Sequence, residues 1–561
     1  MIKEERFNWR VCLYCGIFIW FVINLLQGIF TEITEDEAYY ALYGEHLAWG
    51  YFDHPPMVGL MTFLGGLLFS GNLGVRFFGI LATTITLFVI WKIIGETNPN
   101  CRKVLLFFTL AFSVVMLNVY GFVTTPDVGL LLFSASFLLV YQKYLEDNSW
   151  RHALLLGVLM AAMVYSKYHA FLLLGLVVLS NLKLLKDGKF WVACLLALVL
   201  LMPHLLWQYD NGFPSFKYHL VQRGEPFRWS YFFEYLPNQL LIFNPLTFGA
   251  AAYVLIKHKP IDRFERSLHF VCIGFFFFFF LMTFRGHVEP HWTIVCSIPM
   301  VVLVYRKCLI DDKLKKYVRR FVLPSLVLIF AARIVLLTPM ASKWGFYGKE
   351  KYYKAIETVA GDNPVIFRGS FQKPSLYHYF TGKESSTTRD YYDRMTQFDL
   401  WQFDKEWMGK PVFICSPVYK RSTQFEVGDV CFEGYQAQRF QSANRLVSSI
   451  SIKDSETMSF HRGERISMKF SIYNPMDYPV DFYHDELSMS LKVHFLSTGD
   501  FSNCRYENIP LIEPHSTYHG SLSFAVPDDI ALGPNLLVLG IGDRIGSSIT
   551  VGNAVAISMV D

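Results

Sequence analysis

The chain has 561 residues, 53% of them hydrophobic and 17% charged, with a formal net charge of +4. So small a basic excess gives no sign of a nucleic-acid partner. Through about residue 340 the apolar residues gather in blocks of roughly 17 to 20, the length that crosses a bilayer as a helix, which excludes an ordinary soluble protein.

In chain order the apolar blocks fall at about 11–30, 75–95, 104–122, 128–143, 152–166, 168–184, 190–208, 239–256, 268–284, 291–305 and 321–338. They predict a mainly α, polytopic membrane region over 1–340, with about 11–13 spans. Met57–Phe69 is too short to cross and is expected to lie along the surface. The first block is followed by Thr-Glu-Ile-Thr rather than small residues, so no cleavable signal is expected there. Beyond residue 340 charge returns. Residues 341–445 mix a helix at Lys351–Val359 with strand-like Pro364–Phe367 and Val412–Cys415, which predicts an α/β domain. Residues 446–561 alternate apolar and polar residues, as at Ile466, Met468, Phe470 and Ile472, and again at Leu487, Met489, Leu491, Val493 and Phe495. With Gly, Pro and Asp turns between such runs, they predict a β-sandwich.

The cysteines show no zinc spacing. Cys12 and Cys15 lie inside an apolar helix, where burial as small hydrophobes is expected. A Cys415–Cys431 disulfide is compatible with an oxidising compartment.

Charge sets the orientation. Lys3, Arg6 and Arg10 precede the first span. Arg102 and Lys103, then Lys183, Lys186 and Lys189, then Lys257, Lys259, Arg263 and Arg266 occupy alternate loops, and Arg306 to Arg320 holds seven basic residues. Residues 31–56 hold no Lys or Arg. The basic loops are expected to be cytoplasmic. The acidic first loop, the Asp127 turn, Lys167, the 209–238 loop, the Arg285 run and the C-terminal domains then face outward.

On that outer side stand most of the chemically capable groups. Asp36 and Glu37 lie where the first span leaves the membrane, and a carboxylate there can serve as a general base. Asp53 and His54 precede two prolines that fix a turn; Asp53 can hold a sugar hydroxyl and His54 a phosphate or metal. Asp127 opens a span, where an acid is costly without a partner or cavity. Lys167 sits between two apolar runs. Arg285 offers a planar fork for phosphate oxygens, and Glu289, His287 and His291 can complete a polar pocket. Asp127, His287 and His291 are candidate ligands for a divalent metal, and the sequence assigns no cofactor. Acids, bases and cations at one lipid–water boundary imply an enzyme acting there on a lipid-linked, charged substrate.

These residues resemble the motifs of the polyprenyl-phosphate-sugar-dependent glycosyltransferases of the GT-C fold, among them the protein O-mannosyltransferases and the lipid A aminoarabinose transferases. Asp36-Glu37-Ala-Tyr-Tyr resembles their first-loop motif, whose Asp is catalytic. Asp53-His-Pro-Pro56 resembles an acid–cation–Pro-Pro motif, with His54 where Lys is common. Leu73-Gly-Val-Arg76, Thr125-Pro-Asp127, Ser166-Lys167 and Val288-Glu-Pro-His-Trp292 resemble further motifs, over roughly residues 10 to 340. The resemblance implies inverting transfer of a monosaccharide from a polyprenyl (undecaprenyl) phosphate donor to an extracytoplasmic lipid, glycan or protein acceptor. In that reading Asp36 is the base, and Lys167 and Arg285 hold the lipid phosphate. Asp127, Glu37 or Glu289 would hold the acceptor or a metal. The protein would sit in a bacterial inner membrane, with its site and C-terminal domains facing the periplasm. A polyprenyl-linked glycan flippase and an oligosaccharide ligase are the alternatives; the outer-edge position of the charges and the lack of an internal repeat argue against a transporter.

Overall fold

Apolar segments in lipid become helices because no water is at hand for their backbone N–H and C=O groups. The computed structural model describes residues 8–219, 227–344, 347–388, 394–451, 458–545, 548–549 and 553–561. Lys3 and Arg6 of the basic N-terminus, and part of the 209–238 loop, lie outside the described residues. Two units result, Met1–Tyr347 and Gly348–Asp561.

The first unit is helical: α1 (Trp9–Phe30), α2 (Glu35–Glu45), α3 (Met57–Leu68), α4 (Gly71–Ile94), α5 (Cys101–Ser113), α6 (Val115–Val119), α7 (Pro126–Asp147), α8 (Trp150–Ser166), α9 (Ala170–Ser180), α10 (Gly188–Asp210), α11 (Pro214–Lys217), α12 (Trp229–Phe243), α13 (Pro245–Lys257), α14 (Arg263–Met282), α15 (Ser297–Cys308), α16 (Asp312–Tyr317) and α17 (Leu323–Val335). By length and hydropathy five of these, α1, α4, α7, α10 and α14, can cross a bilayer as single helices. Two bent pairs raise the number to seven: α12 with α13 at 102°, and Pro290–Cys308 with Asp312–Val335 at 113°. The remaining apolar blocks are shorter or broken helices. The 104–122 block, for example, divides at Val114 into α5 and α6. α3 packs on α2 and α4 and leaves Leu60, Leu67 and Leu68 exposed.

The bundle has two chemically different ends. At one, Arg306 donates to the carbonyls of Ile93 and Ile94 and meets Glu265, while Glu96 pairs with Lys103 and accepts from Tyr305. These contacts gather the basic loops. At the other end lie the C-termini of α1, α8 and α10 and the N-termini of α3, α4 and α7, joined by the contacts described below.

The cysteine expectations are corrected. Cys12 is not a lone buried hydrophobe; it forms a disulfide with Cys101, while Cys15 is exposed. Cys415 and Cys431 are both free. Phe413 pairs with Gln436 and Ile414 with Tyr435 in antiparallel strands, so Cys431 lies three residues past the position that faces Cys415. That is about 10 Å along the strand, beyond the roughly 7 Å that a disulfide spans between Cα atoms.

The second unit holds α18 (Lys349–Ala360), β1 (Val365–Arg368), α19 (Gln372–Thr381), β2 (Ser385–Thr388), α20 (Gln397–Trp401), β3 (Val412–Cys415), β4 (Thr423–Val427) and β5 (Val430–Ala437). Its first sheet has the order β2-β1-β3-β5-β4, with β1 parallel to both β2 and β3. β6 (Val447–Ser451), β7 (Met458–His461), β8 (Arg465–Tyr473), β9 (Met489–Phe495), β10 (Asp500–Asn503), β11 (Arg505–Tyr506), β12 (Thr517–Ala525), β13 (Gly533–Asp543), β14 (Ser548–Ile549) and β15 (Val555–Val560) follow. They make two further sheets, β10-β9-β13-β15-β7 and β11-β12-β8-β6, with β14 beside β13. Ile466, Met468, Phe470 and Ile472 of β8 face one core with Leu491, Val493, Leu537 and Leu539. Alternate residues turn inward because a strand's side chains have a period of two. Glu486 accepts from Tyr435 and from the Gln438 amide, which joins the first sheet to this β-rich part.

Candidate active site

The site begins with a buried carboxylate. Thr34 caps α2 and accepts from the Glu37 amide, while Glu37 Oε2 accepts from the Thr34 amide at 3.1 Å and from its hydroxyl at 3.0 Å, a capping box. Arg76 of α4 adds Nε to Oε1 at 2.7 Å and Nη2 to Oε2 at 2.6 Å, and the Thr124 amide adds 3.0 Å to Oε1. Both side chains of this pair are 0% exposed. The remaining N–H groups of Arg76 reach the carbonyls of Gly28, Thr31 and Glu32, closing the end of α1. All five of its donors are therefore used. Glu37, read from the sequence as a second acid for the chemistry, is instead the tie between α1, α2, α4 and the turn before α7. Asp36, one residue earlier, is exposed on the first turn of α2.

Tyr40 lies one helical turn beyond Asp36, on the same face. Burial, and then the charges of Asp36, Asp53 and Asp127, hold its hydroxyl well above the usual tyrosine range. Three carboxylates that are far apart in sequence thus act on one phenol. Tyr43 is raised too, by burial and then by Asp53, and donates to Asp53 Oδ1 at 2.7 Å. Tyr51 stacks on Tyr43 with ring centroids 3.8 Å apart and donates to the Tyr43 carbonyl. Asp53 is consequently a buried acid with a fixed phenol donor. His54 Nε2 lies 3.3 Å from the Tyr40 hydroxyl. Burial drives its imidazole down to about 3, with Lys167 and His219 also lowering it and Asp53 and Asp127 opposing. At neutral pH it is an uncharged ring, not the cation that a Lys there would supply.

Asp127 begins α7 and Lys167 follows α8. Lys167 Nζ meets both oxygens of Asp127, at 2.8 and 2.7 Å, and both residues are buried. Each group sits where its own helix end favours its sign, the acid at an N-terminus and the cation at a C-terminus. Tyr120 donates to Asp127 Oδ2 at 3.3 Å, and His291 Nε2 stands 3.8 Å from the same oxygen. His291 belongs to the stretch after α14 that also carries Arg285 and His287, both exposed, and the half-buried Glu289. His287 and Glu289 approach one another at 3.8 Å. Trp292 packs against His169 and Phe279, each with ring centroids 5.4 Å away. The structure thus gathers Asp36, Asp53, His54, Asp127, Lys167 and His291; Arg285, His287 and Glu289 stand on the strand of chain that brings His291 in. Among the described residues, Asp127, His287 and His291 do not form a group of three or more metal-ligating side chains.

Several members carried no role in the sequence reading. α10 presents His204 and Gln208, one turn apart and buried. His204 bonds the Trp49 carbonyl at 2.6 Å and the Tyr168 hydroxyl at 3.0 Å, and Gln208 donates to Tyr168 and Ser215. His219 contacts the Asp53 carbonyl at 3.1 Å. This network holds the 46–56 loop against α10. Its signal in the sequence is a polar i, i+4 pair inside an apolar helix, where polar groups are expensive.

These helices describe a multi-pass membrane protein whose fold is similar to the GT-C type. The family model described as dolichyl-phosphate-mannose-protein mannosyltransferase matches residues 53–207. The crystal structure of ArnT from Cupriavidus metallidurans in the apo state is similar over 75% of this chain and 98% of that one, at 14% identity and a TM-score of 0.55. The same protein bound to undecaprenyl phosphate gives 76%, 98%, 15% and 0.55. At such identities the likeness establishes the fold. No curated protein sequence matches the chain.

Proposed function

We propose that this protein is an inverting glycosyltransferase that moves a monosaccharide from a polyprenyl phosphate to an extracytoplasmic acceptor: lipid A, an envelope glycan or a protein. The observation that carries the reading is the set of polar contacts at one end of the bundle, Tyr40 with His54, Tyr43 with Asp53, and Lys167 and His291 with Asp127, beside the exposed Asp36. It occurs at one end of a fold shared with a transferase known in complex with undecaprenyl phosphate. The asymmetry of basic loops supports an outward-facing site in a bacterial inner membrane.

Asp36, exposed on a helix turn anchored by Glu37 and Arg76, removes the acceptor proton as the acceptor attacks the anomeric carbon opposite the phosphate. One displacement inverts that centre. The polyprenyl phosphate departs with growing negative charge, which Lys167 and the exposed Arg285 stabilise. Lys167 is buried against both oxygens of Asp127, whereas Arg285 is exposed, and the phosphate is held chiefly by Arg285. The tail lies in an apolar groove of about 620 Å³ between α12 and α14, lined by Phe232, Tyr235, Leu236, Ile273, Phe276 and Phe280. Asp53 and Asp127 orient hydroxyls of the transferred sugar or acceptor; Glu37 positions Asp36 and takes no part in the chemistry.

The test is to incubate purified protein with synthetic polyprenyl-phosphate sugars and a panel of acceptors (lipid A, envelope glycan and protein) and measure released polyprenyl phosphate. Asp36→Asn should cut release by about 10²–10⁴-fold, and full activity would remove Asp36 as the base. Arg285→Ala should raise the apparent KM for donor, and an unchanged KM would remove it from the phosphate.

A further inference from the structure

Arg333 of α17 is 5% exposed, one turn from the end of the bundle that holds the site. Its Nε donates to Gln27 Oε1 at 3.3 Å and its Nη2 to Asn24 Oδ1 at 2.7 Å. The guanidinium carbon lies 5.3 Å from the Trp20 ring and 5.4 Å from the Phe122 ring. Neither α1 nor α17 contains an Asp or Glu. Among the described residues no carboxylate pairs with Arg333, and its Nη1 has no hydrogen-bond partner. Arg76, buried at the same end, is the contrast, with a carboxylate and a partner for every N–H.

Two further donors in the same cluster are buried without acceptors, Trp20 Nε1 and Asn24 Nδ2. The Asn24 orientation is fixed by chemistry, because a guanidinium N–H requires the amide oxygen and not the NH2. Three unmatched donors therefore lie on Arg333 and on the two side chains it touches, Trp20 and Asn24, beside one uncompensated positive charge. Aromatic faces and amide oxygens offset part of that charge, but they accept nothing from Nη1, Nε1 or Nδ2. Water would accept those bonds without supplying charge. A lipid phosphate supplies charge, but its bulk would have to part α1 from α17 to reach atoms closed off from the surface.

We propose that Trp20, Asn24 and Arg333 form a binding site for a small inorganic anion of the chloride class. The inference is independent of the transfer reaction. The anion accepts from indole, carboxamide and guanidinium at once and neutralises the buried charge, locking α1 to α17.

The experiment uses full-length protein in detergent, exchanged into gluconate at constant ionic strength and titrated with chloride. The thermal midpoint should rise by about 2 °C or more with chloride. Crystals soaked in bromide should show an anomalous peak about 3.3 Å from Arg333 Nη1, near the upper end of hydrogen-bond reach. Arg333→Gln should abolish the chloride shift. Should that variant fail to fold, Asn24→Asp serves instead, since it places a carboxylate oxygen against Nη2. It should be at least as stable in gluconate as the parent and indifferent to chloride. A parent protein whose midpoint ignores chloride and whose crystals show no bromide there overturns the proposal. So does phosphate headgroup density at the spot, or an Asn24→Asp protein that keeps the full chloride shift.

Discussion

Asp36 and Glu37 are adjacent, and a helix turns successive side chains about 100° apart, so one carboxylate faces water while the other meets Arg76 in the core. Their substitutions should separate accordingly. Asp36→Asn should leave the melting midpoint nearly unchanged, within the roughly 0.5 kcal/mol typical of surface sites, while transfer is lost. Glu37→Gln leaves the Arg76 charge buried and unpaired, which costs about 3–5 kcal/mol, so midpoint and activity should fall together in a thermal melt and a release assay. Lys167→Met should behave like Glu37→Gln, because it strands Asp127 in the same way. His54 gives a prediction in pH. Its folded pKa, about 3, lies below the unfolded value, so the unfolded chain binds the extra proton between those limits. Stability from this group is therefore complete above about 6.5 and is lost as pH falls toward 3, with a slope of up to about 1.4 kcal/mol per pH unit. Midpoints measured from pH 7.5 to 4.5 should fall less steeply for His54→Asn than for the parent. The acids were visible in the sequence as charges beside apolar blocks. Which of two neighbours is structural was not, because the deciding partner, Arg76, lies 39 residues away. Tyr40 and Tyr120 gave no signal of their own either, since a tyrosine at a membrane boundary is ordinary.

Helices α3 and α4 meet through glycine, and their approach is a matter of whole elements. A Cβ on Gly65 would stand 1.9 Å from the Gly74 carbonyl oxygen, and one on Gly74 would stand 2.3 Å from the Phe69 carbonyl oxygen. Backbone cannot swing aside as a flexible side chain does. Gly65→Ala should therefore push α3 from α4 and lower stability by about 1–3 kcal/mol, read as a lower thermal midpoint; Gly66→Ala, with open space around it, is the control that should change little. The same contact carries function, because α3 starts directly after Asp53-His-Pro-Pro56 and Thr62 of α3 donates to the Tyr40 carbonyl at 2.8 Å. Most helices were legible because apolar runs bounded by polar loops announce themselves. The bends were not. The 239–256 block reads as continuous apolar sequence, yet Asn244 adopts φ +64 and the chain turns 102° into Pro245. A proline disfavours helical backbone at the residue before it, which is the cue at that position. The Cys12–Cys101 contact likewise depends on how α1 and α5 pack, which no local pattern records.

For the molecule as a whole, the end carrying Asp36, Asp53, Asp127 and Lys167 is distinct from the end where Arg306, Glu265, Glu96 and Lys103 meet. The sequence made this separation visible through alternation of basic and acidic loops, and it made the β-rich C-terminal part visible through period-two burial such as that of β8. It did not show that the first sheet of the second unit and the β-rich part are joined through Glu486, because that bond links residues some fifty positions apart. If basic loops face the cytoplasm, the acidic end faces outward, and an impermeant thiol reagent can test this directly. The exposed free thiols Cys15 and Cys431 would first be changed to Ser. Single cysteines would then replace the exposed Glu35 and His287 at one end and the exposed Lys259 and Lys313 at the other. Glu35→Cys and His287→Cys should react in intact cells whose outer barrier is opened, and Lys259→Cys and Lys313→Cys only after the inner membrane is breached. The reverse pattern would put Asp36 on the side where a donor carried outward on a polyprenyl lipid never appears. Reaction of Glu35→Cys and His287→Cys from opposite sides would separate Asp36 from Arg285 by the width of the bilayer, about 30 Å, and no phosphate held by one could then have its sugar attacked beside the other.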